Sequence, residues 1–196
     1  SHDSQLIDSP LSSKGKAQAK ELAEYLRSAE GGQKTFPFDP ANSVVVCSNL
    51  RRAMETAIIG LEPRLGPNRE KVIIDSNLQE GSRNVDAQAL ASKPFGIPNY
   101  PLVGVASPTN AVMLSRLFDS RVCNFGNKTL TKGNNVFVRI QEFVRRVFGQ
   151  GTSTCLNVAG GVAGGYPLGT GAPASPSTII VVGHSLYFRN FFRTFL

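Results

Sequence analysis

The sequence has few cysteines and no long hydrophobic run, and both shortages narrow the class of protein. Its three cysteines are Cys47, Cys123 and Cys155, an odd and scattered set without a C-x-x-C pair. Such a set indicates neither a disulfide framework nor a zinc site, so we expect a reducing cytoplasm and no bound metal. No apolar run approaches the roughly 20 residues that a helix needs to span a bilayer. We therefore expect no membrane partner.

Acidic residues are scarce in the second part of the chain. Residues 1–86 contain 11 Lys/Arg and 12 Asp/Glu, whereas residues 87–196 contain 10 Lys/Arg and only 2 Asp/Glu, so the net charge of +7 comes from the second part. A basic region indicates an anionic partner, although a solvated basic surface is the alternative. Aromatic residues do not interleave with the basic ones as they do on a stacking surface for nucleic acid. We therefore expect no nucleic-acid partner.

Three short β-branched runs predict the fold class. They lie at residues 43–47, 71–75 and 179–182, and they lack the polar alternation of half-exposed strands. Such runs are typical of strands buried on both faces of a parallel sheet. With 196 residues, 41% hydrophobic and 18% charged, the chain is long enough for one globular domain over residues 1–196. We predict an α/β fold with a mostly parallel sheet.

Two amphipathic helices are predicted from apolar residues at helical spacing. The first would begin with Ser12 or Ser13 as its N-cap and end at Gly31-Gly32, and the second would span residues 136–147. Both apolar stripes predict core packing rather than function. The apolar residues are Ala19, Leu22, Ala23 and Leu26 in the first helix, and Val136, Phe137, Ile140, Phe143, Val144 and Val147 in the second.

Two other segments show little periodicity. Residues 84–135 contain several prolines and glycines, which predicts a long excursion over the sheet that could cover a substrate. Residues 149–177 are rich in Gly, Ala, Ser, Thr and Pro, and we interpret them as a flexible insertion. Their glycine-rich part is not followed by Gly-Lys-Ser/Thr, so it does not predict a phosphate-binding loop.

Polar side chains follow all three predicted strands. Ser48 can cap a helix whose first turn carries Arg51 and Arg52, and an arginine beside a helix start suits a phosphate. Glu80 follows the second strand, and His184 follows the third. Because ligands of open α/β sheets bind at the carboxyl ends of the strands, we predict that Arg52, Glu80 and His184 share one site.

Each of these side chains also has a purely structural interpretation. Paired arginines are common on helix surfaces, a glutamate in a loop is normally solvated, and a lone histidine is often held by backbone at the edge of a core. Cations in the first turn of a helix oppose its dipole, which favours a function for at least one arginine. Together, an arginine, a glutamate and a histidine are the residue types needed to bind and transfer a phosphoryl group.

Four short motifs occur in a fixed order along the chain. They have the forms D-x-P-L-T-x-x-G-x-x-Q-A, S-x-L-x-R-A-x-x-T-A, L-x-E and a strand-ending G/T-H-G/S. The matching residues are Asp8, Pro10, Leu11, Ser12, Gly15, Gln18 and Ala19; Ser48, Leu50, Arg52, Ala53, Thr56 and Ala57; Leu78 and Glu80; and Gly183, His184 and Ser185. In order and spacing the chain resembles the histidine phosphatase superfamily, the phosphoglycerate-mutase-like proteins. Residues 117–120 and the late helix are similar to its phosphomutase-like branch in plants, fungi and protists.

The resemblance implies a fold, a reaction and a set of site residues. The fold would be a three-layer α/β/α sandwich of the phosphoglycerate mutase type. Arg52 and His184 would hold the oxygens of a transferring phosphoryl group, Glu80 would protonate the leaving oxygen, and the backbone N–H of Ser185 would add a donor. Arg52, Glu80 and His184 would thus be catalytic, and Arg52 and Ser185 would bind substrate. No metal or cofactor is implied. The substrate would be a phosphorylated small molecule or a phosphoprotein.

One departure from the family pattern concerns the nucleophile. In the family it is a histidine in an R-H-G motif upstream of the first of the four motifs, and this sequence has no such motif. His2 is the only other histidine, but no strand precedes it and it lies too close to Asp8. We therefore expect the nucleophile upstream of this chain, and we expect the chain to be incomplete at both ends.

Three functions remain open at the level of sequence. The first is a metal-independent phosphatase that works through a phosphohistidine. The second is a phosphomutase, which uses the same residues but needs water excluded and a second anion-binding group. The third is a non-catalytic protein that binds phosphate or a partner and lacks the nucleophile. Neither the physiological substrate nor the oligomeric state is predicted.

Overall fold

The computed structural model describes a central sheet, the helices around it and the loops at one sheet edge. The described residues are 7–28, 43–68, 70–82, 84–90, 94, 96, 111–120, 123–128, 135–147 and 178–196. His2 and the segment 149–177, for which we predicted a flexible insertion, lie outside them. Within these residues no helix combines the length and the apolar character needed to cross a membrane.

The sheet contains four parallel strands in the described residues. They are β1 (Ser43–Cys47), β2 (Val72–Ile74), β3 (Phe118–Asp119) and β4 (Thr178–Val182), arranged in the order β3-β2-β1-β4. The predicted parallel sheet is therefore confirmed. Strand β3 was not predicted, because two residues carry no periodicity. Part of the segment interpreted as an excursion over the sheet is thus a strand of the sheet itself.

Helices cover both faces of this sheet, so the α/β/α layering expected of the family is confirmed. Their bounds are α1 Ser13–Arg27, α2 Arg51–Gly60, α3 Glu62–Asn68, α4 Ala111–Leu117, α5 Val136–Val147 and α6 Ser185–Phe195. On one face, residues of α1, α2 and α4 pack in an apolar core against β1, β2 and β3. On the other face, α5 and α6 pack against Val44, Val46 and Ile73 of the sheet. Burial of these two apolar layers drives the association of helices and sheet.

Helix α1 begins as predicted but ends earlier. Ser12 is its N-cap, and the Ser12 side chain accepts a hydrogen bond from the N–H of Gly15 at 3.1 Å. The helix ends at Arg27 and Ser28 is its C-cap, so the prediction that Gly31-Gly32 ends it is wrong. Ser28 takes extended backbone angles, and its N–H bonds back to carbonyls of the last turn. The chain therefore leaves the helix without needing a glycine.

Strand β4 is less buried than its sequence predicts. Only Ile180 is buried, and the other four residues are partly exposed. β4 lies at the edge of the described sheet, next to β1, whose five residues are all buried. The side chains of β4 still pack into both apolar cores, so the prediction of burial on both faces is correct for β1 and holds only in part for β4.

Helix α5 matches its predicted range, and its predicted core residues pack in the core except for Phe137. Phe137 is 51% exposed, whereas Arg139 and Arg146 are buried with Ile140 and Phe143. Arg146 forms an ion pair with the buried carboxylate of Asp75, at the end of β2. The helix therefore brings two positive charges beneath the loops that follow the strands.

Candidate functional site

The site is built on the loops that leave the carboxyl ends of β1, β2 and β4. Because these strands are parallel, they end at the same edge of the sheet. Arg52 lies in the first turn of α2 after β1, Glu80 lies in the loop after β2, and His184 follows β4 by two residues. The three residues predicted from the sequence thus all lie at one edge.

Arg52 and Glu80 lie close together. Arg52 Nη2 is 4.0 Å from Glu80 Oε2, and Arg52 Nη1 donates a 2.7 Å hydrogen bond to the backbone carbonyl of Asp86. The Asp86 carboxylate is a further 4.0 Å contact of the same guanidinium. The Arg52 side chain remains 20% exposed. Its charge is therefore fixed in place by protein groups and still reachable by an anion.

His184 is buried, and its ring contacts Ser48. The Nε2 atom of His184 lies 2.9 Å from Ser48 Oγ, which also accepts a 3.3 Å hydrogen bond from the N–H of Leu50. Because Ser48 Oγ already accepts from Leu50, its hydroxyl is free to donate to Nε2. That arrangement favours a neutral ring with its proton on Nδ1. Among the described residues only Nε2 of this ring has a hydrogen-bond partner, so Nδ1–H can face a ligand.

Burial keeps His184 neutral. The pKa of His184 is lowered from 6.5 to about 3, first by burial and then by the positive charges of Arg52 and Arg139. A neutral imidazole can donate one hydrogen bond from Nδ1 to a phosphoryl oxygen while the other nitrogen accepts from Ser48.

Ser48 is not the cap of α2, so that prediction is wrong. Leu50 is the N-cap residue and makes no side-chain capping bond. The Asp8 side chain takes the place of an N-cap side chain at the start of α2. Its carboxylate accepts hydrogen bonds from the N–H of Arg51 at 2.6 Å and of Leu90 at 2.9 Å. A carboxylate at a helix start satisfies free N–H groups and interacts well with the helix dipole. Ser48 is thereby left to contact His184.

Asp8 is a buried acid with an unusual backbone. Its φ of 50° lies in the left-handed region, which Asp tolerates better than most residues. Burial raises the pKa of Asp8 from 3.8 to about 6, against the opposing effects of its hydrogen bonds to Leu90 and Arg51 and of the nearby arginines. The sequence predicted no site role for Asp8, which was identified only as the first residue of the D-x-P-L motif. Its role as a clasp between α2 and the segment 84–90 depends on a contact 82 residues apart, which no local pattern reveals.

Glu80 is held from two sides. Its Oε1 accepts a 2.8 Å hydrogen bond from the N–H of Gly81, which leaves Oε2 on the side of Arg52. Arg139 of α5 donates to the backbone carbonyls of Gln79 at 2.6 Å and of Glu80 at 3.1 Å. The carboxyl group therefore stands on a loop whose backbone is fixed by a buried guanidinium.

A buried amide network joins three loops behind the site. Gln79 Nε2 donates to Asn49 Oδ1 at 2.7 Å and to the carbonyl of Gly126 at 3.1 Å, and Gln79 Oε1 accepts from the N–H of Lys128 at 2.8 Å. Asn49 Nδ2 in turn donates to Asn124 Oδ1 at 2.9 Å. Since these amides satisfy one another in a buried place, they fix the relative positions of the loops that carry Arg52 and Glu80.

Ser185 is the first residue of α6, directly after His184. The first N–H groups of a helix have no partner within the helix, so the Ser185 N–H can serve as the donor that was predicted. Gly183 precedes them in a crowded place: a Cβ atom here would lie 3.1 Å from the ring of Phe188. A glycine therefore lets the ring pack over the turn that presents His184. In the described residues no group of three or more potential metal ligands comes together.

The first part of the chain matches a known protein family. Residues 3–86 match the family described as "Histidine phosphatase superfamily (branch 1)". The matched part contains Asp8, Ser48, Arg52 and Glu80, whereas His184 lies beyond it and joins them through the fold. No curated protein matches the chain.

Proposed function

We propose that the chain, whose residues 3–86 match the histidine phosphatase superfamily, is a metal-independent phosphatase. Members of that superfamily transfer or hydrolyse phosphoryl groups. The chain would hydrolyse a phosphomonoester through a phosphohistidine intermediate. We further propose that Arg52, Glu80 and His184 are its catalytic residues, and that Ser185 binds the substrate through its N–H. The substrate would be a phosphorylated small molecule or a phosphoprotein, and neither a nucleic acid nor a membrane would be a partner. The cytoplasmic location predicted from the cysteines stays a prediction.

One arrangement carries this proposal: a guanidinium, a carboxyl group and a neutral imidazole at one sheet edge. Arg52 offers a fixed, partly exposed positive charge, and its fork suits the oxygens of a phosphoryl group. His184 offers an uncharged donor whose pKa is lowered first by burial and then by that same arginine. Glu80 Oε2 lies 4.0 Å from Arg52 Nη2, so the carboxyl group is close to any phosphoryl group that Arg52 holds. Such fixed donors stabilise the charge of a phosphoryl-transfer transition state.

The proposed reaction has two steps. In the first, a histidine nitrogen attacks phosphorus, the N–P bond forms, the bond to the leaving oxygen breaks, and Glu80 gives its proton to that oxygen. In the second, water attacks phosphorus, the N–P bond breaks, and Glu80 takes the proton of the water. Arg52 and His184 hold the non-bridging oxygens throughout. The attacking histidine would belong to an R-H-G segment upstream of Ser1.

Phosphate release from an aryl phosphate, with a chelator present, tests this proposal on the natural protein. We expect turnover that the chelator does not affect and that falls at least about 100-fold in His184→Ala, because the variant loses a donor to the transition state. Arg189→Ala is the matched control, since Arg189 is exposed on the same helix, and it should retain full turnover. Equal turnover in His184→Ala and the control would reject the assignment of His184.

A phosphomutase is the second candidate, favoured by the excess of basic residues in 87–196. A mutase must hold a second anionic group, and such an excess could supply it. Isomerisation of a phosphosugar or a phosphoglycerate that exceeds phosphate release would identify a mutase. A folded natural protein that binds inorganic phosphate but supports neither reaction would instead be a binding protein.

A further inference from the structure

Arg139 is a buried arginine whose hydrogen bonds go to backbone carbonyls. It is 2% exposed, and its guanidinium donates to the carbonyls of Gln79 at 2.6 Å and Glu80 at 3.1 Å, with a longer 3.4 Å contact to that of Asn77. These three residues form the loop between β2 and the Glu80 side chain. One planar guanidinium therefore holds the whole backbone segment that leads to Glu80.

The second buried arginine of α5 shows how different this arrangement is. Arg146 lies two turns further along the same helix and is paired with the carboxylate of Asp75. Arg139 lies within electrostatic reach of Glu80 and Glu142, but the structure shows no ion pair between Arg139 and a carboxylate among the described residues. Burying a guanidinium against neutral carbonyls is less favourable than burying it against a charge. Burial accordingly lowers the pKa of Arg139.

Arg139 also lies within reach of the other half of the site. Its charge contributes to the lowered pKa of His184 and interacts with the buried hydroxyl of Tyr187, one turn after His184 in α6. Arg139 thus stands between the loop that carries Glu80 and the helix that begins after His184. A shorter or uncharged side chain here would free the loop without touching any atom of a substrate.

We propose that Arg139 is a positioning residue, which holds the carbonyls of residues 77–80 and thereby places the carboxyl group of Glu80 against the leaving oxygen. This inference rests on the proposed function, in which Glu80 is the proton donor. It predicts a specific defect in proton transfer when Arg139 is changed. A defect in substrate binding is not expected, because the guanidinium points to backbone carbonyls.

Leaving-group dependence distinguishes this role from a general loss of folded protein. A departing nitrophenolate needs little protonation, whereas phenolate needs more, so the two substrates differ in their demand for a proton donor. The ratio of kcat/KM for 4-nitrophenyl phosphate to kcat/KM for phenyl phosphate reports the step in which the leaving group departs, and it does not depend on how much of the sample is folded. We would measure this ratio, and KM, for the natural protein and for Glu80→Gln, Arg139→Lys and Arg139→Gln.

We expect the ratio to rise about tenfold or more in Glu80→Gln and about threefold to tenfold in both Arg139 variants, with KM nearly unchanged. Arg145→Lys, an exposed change on the same helix, should leave the ratio as it is. A raised ratio in Glu80→Gln with an unchanged ratio in both Arg139 variants would overturn the positioning role. An unchanged ratio in Glu80→Gln would instead overturn Glu80 as the proton donor, and with it the proposed function.

Discussion

Ser48 Oγ and His184 Nε2 lie 2.9 Å apart although 136 residues separate them in the chain. The contact joins the loop after β1 to the start of α6, and both partners are buried. Ser48 is therefore the group that sets the orientation of the imidazole. Its hydroxyl also selects which ring nitrogen carries the proton, because an accepting Nε2 leaves the proton on Nδ1.

Replacing Ser48 by alanine should impair catalysis more than stability. The Ser48→Ala variant loses the hydroxyl that orients His184, so we expect kcat to fall about tenfold. Nitrogen NMR of the ring gives a second readout, with the His184→Asn variant to assign its signals. We expect one tautomer in the natural protein and a mixture in the variant. Ser13→Ala, at the exposed start of α1, is the control; equal tautomer populations in Ser48→Ala and the natural protein would contradict the prediction.

Protonation of His184 should make the folded protein less stable in acid. The pKa of His184 is about 3 when folded and 6.5 in the unfolded chain, so the unfolded chain takes up the proton first as the pH falls. The stabilising contribution is complete above pH 6.5 and is lost as the pH falls towards 3, by at most about 1.4 kcal/mol per pH unit. Urea unfolding at several pH values should therefore show a smaller loss of stability in His184→Asn than in the natural protein. If the stability of both proteins changes with pH to the same extent, the pKa of His184 is not lowered.

Asp8 should act in the opposite direction. The pKa of Asp8 is raised from 3.8 to about 6, so the folded state holds a proton that the unfolded chain has lost. The resulting stabilisation is complete below pH 3.8 and is lost as the pH rises through about 6. Relative to Asp8→Asn, the natural protein should therefore lose stability between pH 4 and pH 6.5.

Between pH 4 and pH 6 the opposing contributions of His184 and Asp8 to the free energy of unfolding nearly cancel. This pair should therefore cause little change in the stability of the natural protein over that range. Urea unfolding of His184→Asn, Asp8→Asn and the double variant separates the contributions. A flat difference between Asp8→Asn and the natural protein over this range would show that the Asp8 pKa is not raised.

Breaking the buried ion pair beneath the site should cost more than breaking one on the surface. Asp75→Asn keeps an oxygen to accept from the N–H of Asn77 but removes the negative charge of the buried ion pair with Arg146. We expect a loss of about 3–5 kcal/mol in the free energy of unfolding. Arg27→Gln is the control, because Arg27 and Glu62 form a pair whose side chains are both about half exposed, and its loss should be at most about 1 kcal/mol. Similar losses for the two variants, measured in urea, would refute this difference.

Much of the fold follows from the sequence because strands and helices leave local patterns. The apolar runs predicted β1, β2 and β4, and helix spacing predicted α5 within its observed bounds. Strand β3 was not predicted, because a strand of two residues is too short to show a periodic pattern. The partial exposure of β4 was not predicted, because burial depends on the neighbouring strands, which a run of Ile and Val does not reveal.

The candidate site was predictable only where a side chain follows a strand directly. Arg52, Glu80 and His184 were found in this way, and their catalytic roles remain predictions. The groups that hold them were not found, since each acts through a contact distant in sequence: Asp8 with Arg51, and Arg139 with the Glu80 carbonyl. Buried arginines at polar positions of an amphipathic helix look like surface charges until the sheet beneath them is known.

The pairing of β1 with β4 has a consequence for how the protein is made. Residues 48–177 separate these two strands, and closing so long a stretch of chain is entropically unfavourable and slow. The two strands must pair before Ser48 can contact His184. During synthesis, α1, α2 and the loop bearing Glu80 emerge long before residues 178–184 do. A ribosome-bound chain therefore holds Arg52 and Glu80 without His184, and the proposed anion site is assembled only after β4 has docked.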